Sequence, residues 1–237
     1  FITSFSLSYH FSRDSYLIFY VFWMFLYKNF DIICLVSSMK NNTIEIHIQN
    51  SQDISSFYRK LPFWKRFSNR KTMHLSISPK INSVFKRELE SIEHAFNLKD
   101  KDERLRYVFE ETCDYIDRNY VNLNFCEFQD GKCACQKAGK EKAIINGCCG
   151  TCEYLGDHGC TIKSLACKIF FCHYIKKKKK VFRLNDIKIA KYFFTPAQKV
   201  IANYNFFKTE EENLKALKKN SLLYFAFVDK EYKVKRF

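Results

Sequence analysis

The chain has 237 residues, 47% of them hydrophobic, which excludes wholesale disorder and leaves room for one medium-sized core. With 40 Lys and Arg against 25 Asp and Glu the net charge is +15, which favours polyanionic partners such as nucleic acid, anionic lipid or an acidic protein but says nothing about fold. A count of 11 cysteines would suggest an exported disulfide framework in a short chain; here the chain is long and the cysteines are local, so a cytoplasmic metal or redox site is the expectation.

The chain opens on Phe1 and is aromatic-rich, with an apolar run from Tyr16 to Tyr27 that Lys28, Asn29 and Asp31 interrupt. That run falls short of the roughly 20 residues a span needs, so no stable membrane span is expected. A signal peptide would want a basic start and small residues at a cleavage site, and neither stands out here. We read residues 1–38 as a non-native or dispensable N-terminal extension ahead of Met39, and residues 39–237 as one α+β domain, mostly helical, with a few short strands and an irregular cysteine-rich metal lobe.

From Thr43 to Gln49 the pattern alternates, Ile44, Ile46 and Ile48 against Glu45, His47 and Gln49, which predicts a half-buried strand. Met73, Leu75 and Ile77 predict a second, ended by Pro79. Between them, Arg59 to Lys71 carries Arg59, Lys60, Lys65 and Arg66 with no acid, interleaved with Phe63, Trp64 and Phe67. Such a stretch can grip phosphates and stack on bases; the simpler expectation is that the aromatics dock on the core while the charges stay in water. Two helices follow, one with Val84, Phe85, Leu89, Ile92 and Phe96 on a stripe, the other with Leu105, Val108, Phe109, Cys113, Ile116 and Tyr120. Cys113 lies on that apolar face and is expected to act as a small hydrophobe, not a ligand.

Apart from Cys34, the remaining cysteines are crowded into 126–172: Cys126, Cys133 and Cys135, then Cys148, Cys149, Cys152, Cys160, Cys167 and Cys172, together with every glycine of the chain. Thiolates bunched this tightly, with glycines letting the backbone turn between them, suit a metal centre better than an apolar core. Cys149-Gly-Thr-Cys152 is a knuckle whose two sulfurs can reach one ion, and Cys133-x-Cys135 is a second close pair. The set is large enough for two four-thiolate sites, or for one site plus structural thiols. Thiolates alone suit tetrahedral zinc and an iron–sulfur cluster about equally. His158 and His173 lie near enough to substitute for a cysteine, His173 being the better placed, although a surface role is the simpler expectation for both.

From Cys152 through Leu155, Gly159, Cys160 and Ile162 to Cys167, Lys168, Phe170 and Cys172, the sequence resembles the second half of the YkgJ-like cysteine-cluster family of zinc- or iron-chelating domains. The resemblance implies a ligand role for Cys152, Cys160, Cys167 and Cys172. This chain differs in placing the vicinal pair Cys148-Cys149 before the knuckle, and in carrying Leu165-Ala166 where the family has Arg-Pro.

Beyond the cysteines, Lys176, Lys177, Lys178, Lys179 and Lys180 form an unbroken run with Arg183, Lys188 and Lys191 behind it. The run reads as a solvated connector or as a phosphate-binding stripe. Tyr192, Phe193, Val200, Ile201, Tyr204 and Phe207 suggest a helix, with Pro196 at its first position behind a Thr195 cap. Thr209 with Glu212 predicts a capping box for a last helix bearing Leu214, Leu217 and Leu222, and Tyr224–Phe237 suggests a closing strand. No nucleotide-binding loop, nucleophile elbow or zinc-protease motif occurs, so no reaction is indicated. Three readings follow: a cysteine-ligated zinc protein, an iron–sulfur electron-transfer protein, and a basic nucleic-acid-binding protein with a structural zinc lobe.

Overall fold

The computed structural model describes residues 42–123, 126–127, 129–139, 154–156 and 159–221. The isoleucine alternation becomes β1 (Thr43–Ile48), with Ile44, Ile46 and Ile48 buried and Glu45 and His47 facing water. β2 (Thr72–Ile77) pairs with it in parallel, Ile44 beside Met73 and Ile46 beside Leu75, so both inward rows fall on one face. Parallel neighbours cannot be joined by a tight turn, and the crossover they require is α1 (Ser51–Lys65). Its start is a reciprocal cap: Asn50 Oδ1 accepts the Gln52 and Asp53 N–H groups, while the Asp53 carboxylate accepts the Asn50 N–H at 3.2 Å. The helix buries Ile54, Phe57, Leu61 and Trp64. Each such side chain removed from water contributes about 1.5–3 kcal/mol toward holding the unit together.

α2 (Ser83–Asn97) lies against β2. Its Asn97 amide brackets one strand residue: Oδ1 accepts the Met73 N–H at 2.7 Å and Nδ2 donates to the Met73 carbonyl at 2.8 Å. Glu93 Oε1 accepts the Leu75 N–H at 3.0 Å. Side chains therefore stand where a third strand would, closing this edge of the sheet. Leu89, Ile92 and Phe96 are buried as the stripe predicts, but Val84 and Phe85 are 58% and 47% exposed, because the first turn of α2 projects past the core.

α3 (Lys101–Leu123) starts on Asp100, whose Oδ1 accepts the Asp102 and Glu103 N–H groups. It buries Val108, Phe109, Cys113 and Ile116. After it come α4 (Ala134–Lys137), the two-residue strands β3 (Leu155–Gly156) and β4 (Gly159–Cys160), α5 (Leu165–Lys168) and α6 (His173–Lys178). A 3₁₀ turn at Leu184–Asp186 leads into α7 (Lys188–Phe193), α8 (Pro196–Tyr204) and α9 (Glu210–Lys219). α2, α5, α7 and α9 all pack on α3, and one buried cluster runs from Ile44 to Leu217. The described part of the fold is thus mostly helical α+β.

The caps expected at Thr195 and Thr209 are both present. The helix expected to open at Pro196 does so, but Tyr192, Phe193 and Phe207, grouped with it by their apolar pattern, fall outside it. Tyr192 and Phe193 end α7, Pro196 opens α8, and Phe207 sits in a turn at φ +57°. Proline disfavours helical backbone at the residue before it, so the pattern breaks at Thr195. Among the described residues no helix is long and apolar enough to cross a membrane. Residues 1–38, Leu222 and the strand suggested over Tyr224–Phe237 lie outside the described residues.

Asn97→Leu strips both hydrogen-bond partners from the backbone of the buried Met73. Unpaired buried peptide groups cost on the order of 1–3 kcal/mol each. Urea unfolding should show a loss of about 2 kcal/mol or more at unchanged slope, whereas Lys86→Ala on the exposed face of the same helix should cost little.

Candidate metal centre

Asp130 and Gly131 both adopt positive φ, +54° and +69°, while Gln129 and Lys132 exchange backbone hydrogen bonds at 3.1 Å each way. This two-residue reversal uses the pairing of residue types such hairpins demand. It folds the chain back so that the Ala134 N–H reaches the Cys126 carbonyl at 2.9 Å, which brings Cys126 beside Cys133. Cys133 then opens α4, its N–H donating to Gln136 Oε1 at 2.9 Å, and Cys135 follows within the same short helix.

α4 packs against α6, which Cys172 opens. Four cysteines from the two ends of the cysteine stretch consequently meet. Cys133 and Cys135 are buried, 7% and 2% exposed, and Cys126, Cys172 and Tyr174 pack against them in a cluster separate from the main core. Among the described residues no three Cys, His, Asp or Glu side chains converge closely enough to hold an ion, so the four are neighbours, not a closed coordination sphere. Lys179 and Glu127, 2.7 Å apart, tie the hairpin to the end of α6, and that ammonium holds the Glu127 carboxyl below its usual range.

The other cysteines stand elsewhere. Cys167 is buried in α5, where its Sγ accepts the Phe207 N–H at 3.3 Å, and it is not part of the four-thiol cluster. Next to it Lys168 turns inward and pairs with Asp117, fixing α5 to α3. Cys160 lies in β4, opposite Leu155, on a strand that contacts α5. Cys148, Cys149, Cys152 and His158 lie outside the described residues, and His173 is exposed at the start of α6. Cys113 sits in the main core with 1% exposure, and burial pushes its thiol up to about 12.

The first basic stretch is only partly available to a ligand. Arg59 and Arg66 are exposed, but Lys60 is buried at 7% exposure. Lys65 donates to the Tyr192 and Phe193 carbonyls at 2.6 and 3.3 Å, filling the unpaired acceptors at the end of α7. Burial, with Arg104 and Lys199 close by, brings the Lys65 pKa down to about 8. Trp64 docks on the core as expected, whereas Phe63 and Phe67 stay 40% and 36% exposed, edge to face at 5.4 Å. The two basic stretches approach each other at their ends: Lys65 reaches the Tyr192 and Phe193 carbonyls, and the Lys188 ammonium lies 5.4 Å from the Tyr58 ring centre. Tyr58 in turn donates to Glu88 Oε2 at 2.7 Å, and burial raises both groups above their ordinary values. Lys176, Lys179 and Lys180 instead line a cleft beside α6.

Comparison with protein-family models, with curated proteins and with solved structures finds no match to this chain.

The thiols should separate by reactivity. With chelator present at pH 8, iodoacetamide should label Cys126 and Cys172 in the native protein, while mass spectrometry should find Cys113 unlabelled until the chain is denatured. Lys65 gives a pH signature of definite sign. Its lowered folded-state pKa means that the buried ammonium costs stability in full below about pH 8, and that the cost is relieved as pH rises from about 8 toward 10.5. Urea unfolding at pH 7.5 and pH 10 should therefore show a smaller upward contribution in Lys65→Met than in the wild type.

Proposed function

We propose that the chain is a cytoplasmic metal-binding protein in which the stretch 126–172 holds zinc through thiolates. In this reading Cys126, Cys133, Cys135 and Cys172 form one four-thiolate site. The observation that carries it is the packing of these four side chains together, drawn from both ends of the stretch by a tight hairpin and by the α4–α6 contact. Zinc accepts four thiolates tetrahedrally at about 2.3 Å, and a closed structural site contributes on the order of 10 kcal/mol to folding. Cys148, Cys149, Cys152, Cys160 and Cys167 are then left for a second site, which keeps Cys152, Cys160 and Cys167 of the cysteine-cluster resemblance together but assigns Cys172 to the first. A stretch this dense in closely spaced cysteines suits a reducing compartment, where thiolates stay available to a metal.

An iron–sulfur centre is the second reading, favoured by one feature: the group is all thiol, with His173 turned to solvent. Metal analysis with a visible spectrum on anaerobically purified protein separates the two. Zinc requires a colourless protein with one or two ions per chain, and Cys135→Ser should lose one of them while Cys113→Ala loses none. A brown protein transfers the site to iron. Chelation should open residues 126–160 to proteolysis while the βαβ frame of 43–77 stays resistant. A metal-free preparation whose cysteine stretch is equally protected with and without chelator would sink both readings.

A further inference from the structure

Beside α6, on a surface that the thiol reading does not use, lies a cleft of about 690 Å³. Its walls come from the end of α5, the basic run in and after α6, the 3₁₀ turn and the end of α8. Its cations are Lys176, Lys179, Lys180 and Arg183, and no carboxylate is among its lining residues. Its aromatic side carries Phe170, Tyr204 and Phe206, with Tyr204 60% exposed. The size is that of a small-ligand site, well above one water or ion.

The aromatic side is held in place from beneath. The buried Ser164 hydroxyl donates to the Asn205 carbonyl at 3.0 Å, and the Asn205 amide donates to Asn213 Oδ1 at 2.8 Å. Asn205 separates Tyr204 from Phe206, so a satisfied buried network fixes the backbone that presents both rings. Phe206 meets Phe170 edge to face at 5.9 Å, and Lys176 lies 5.5 Å from the Phe170 ring centre. On the basic side, Phe182 packs edge to face on the buried Phe171 at 5.2 Å, anchoring the segment that carries Lys180 and Arg183.

We propose that this cleft binds single-stranded nucleic acid, a base stacking on Tyr204 while the flanking phosphates pair with Lys176, Lys180 and Arg183. An aromatic platform opposite a row of cations is what sequence-tolerant single-strand binding requires. A duplex keeps its bases stacked inside and offers Tyr204 nothing to stack on. The unbroken lysine run, extending beyond the cleft through Lys177 and Lys178, suits a chain of phosphates better than a lone nucleotide.

The test is fluorescence anisotropy of a labelled ten-nucleotide oligo(U) with the purified full chain across a salt series, alongside a duplex of equal length and anionic lipid vesicles. Tyr204→Ala should weaken oligo(U) binding roughly tenfold or more and leave duplex binding unchanged. Lys176→Gln with Lys180→Gln should lower the slope of log affinity against log salt by about 0.7 for each phosphate left without its lysine. Lys215→Gln, which removes the same charge from exposed α9, should change neither. Metal content should stay the same in every variant, so failure here is distinguishable from failure of the zinc reading. The proposal is overturned by absence of oligo(U) binding at low salt, or by an affinity that responds to Lys215→Gln as strongly as to Lys176→Gln. It is equally overturned by an affinity indifferent to Tyr204→Ala, or by a stronger Tyr204-dependent affinity for the vesicles.

Discussion

One buried stripe on α3 decides how the rest of the chain is arranged. Val108, Phe109, Cys113 and Ile116 receive α2 from one side of the sequence and α5, α7 and α9 from the other. The stretch from Cys126 to Cys160 therefore leaves the frame at the end of α3 and returns to the same helix, where Lys168 pairs with Asp117. The frame closes this loop by its own packing, which reduces the entropy that bringing distant thiols together would otherwise cost. Cys172 rides on that return segment and is thereby delivered to α4.

The net charge is also distributed by helix ends. Lys65 fills carbonyls at the end of α7, Arg104 donates to the Leu98 carbonyl after α2, Lys99 donates to the Ser68 and Lys71 carbonyls after α1, and Lys199 donates to the Lys191 carbonyl. These cations lie near enough to one another that Lys65, Lys99 and Lys199 each feel a neighbouring positive charge in addition to desolvation. Positive charge used for capping in this way is turned toward the protein. A row of cations, Lys176, Lys179, Lys180 and Arg183, lines one concave surface in and after α6, whereas Arg59 is the single cation lining the hollow at the start of α1, which is why the former cleft carries the nucleic-acid inference.

The parts of this architecture visible in the sequence are those where one local rule decides. Ile44, Ile46 and Ile48 alternate and form a strand; Thr195 with Gln198 and Thr209 with Glu212 cap helices where the residue types say they should. α1 hides behind its charges, because Lys60 and Lys65 read as surface residues and are not; its plain signal is Asn50 followed by Asp53. The Asp130-Gly131 reversal is equally legible and accounts for the meeting of Cys126 with Cys133. What no spacing rule could supply is the choice of partner for Cys172. The linear pattern groups it with Cys152, Cys160 and Cys167, whereas the α4–α6 contact groups it with Cys126, Cys133 and Cys135, a long-range outcome of how α5 docks on α3.

The amide of Asn97 holds more of this structure than its size suggests. Its acceptor and its donor face the N–H and the carbonyl of Met73, so the side chain works as a fragment of a missing strand. A carboxylate in its place would set oxygen against the Met73 carbonyl, turning one of the two bonds into a repulsion. Hydrolytic ageing at this single amide would then uncover the backbone edge of β2. The cover that remains would be Glu93 on Leu75 and the packing of α2, so the loss of one nitrogen opens the edge first at Met73.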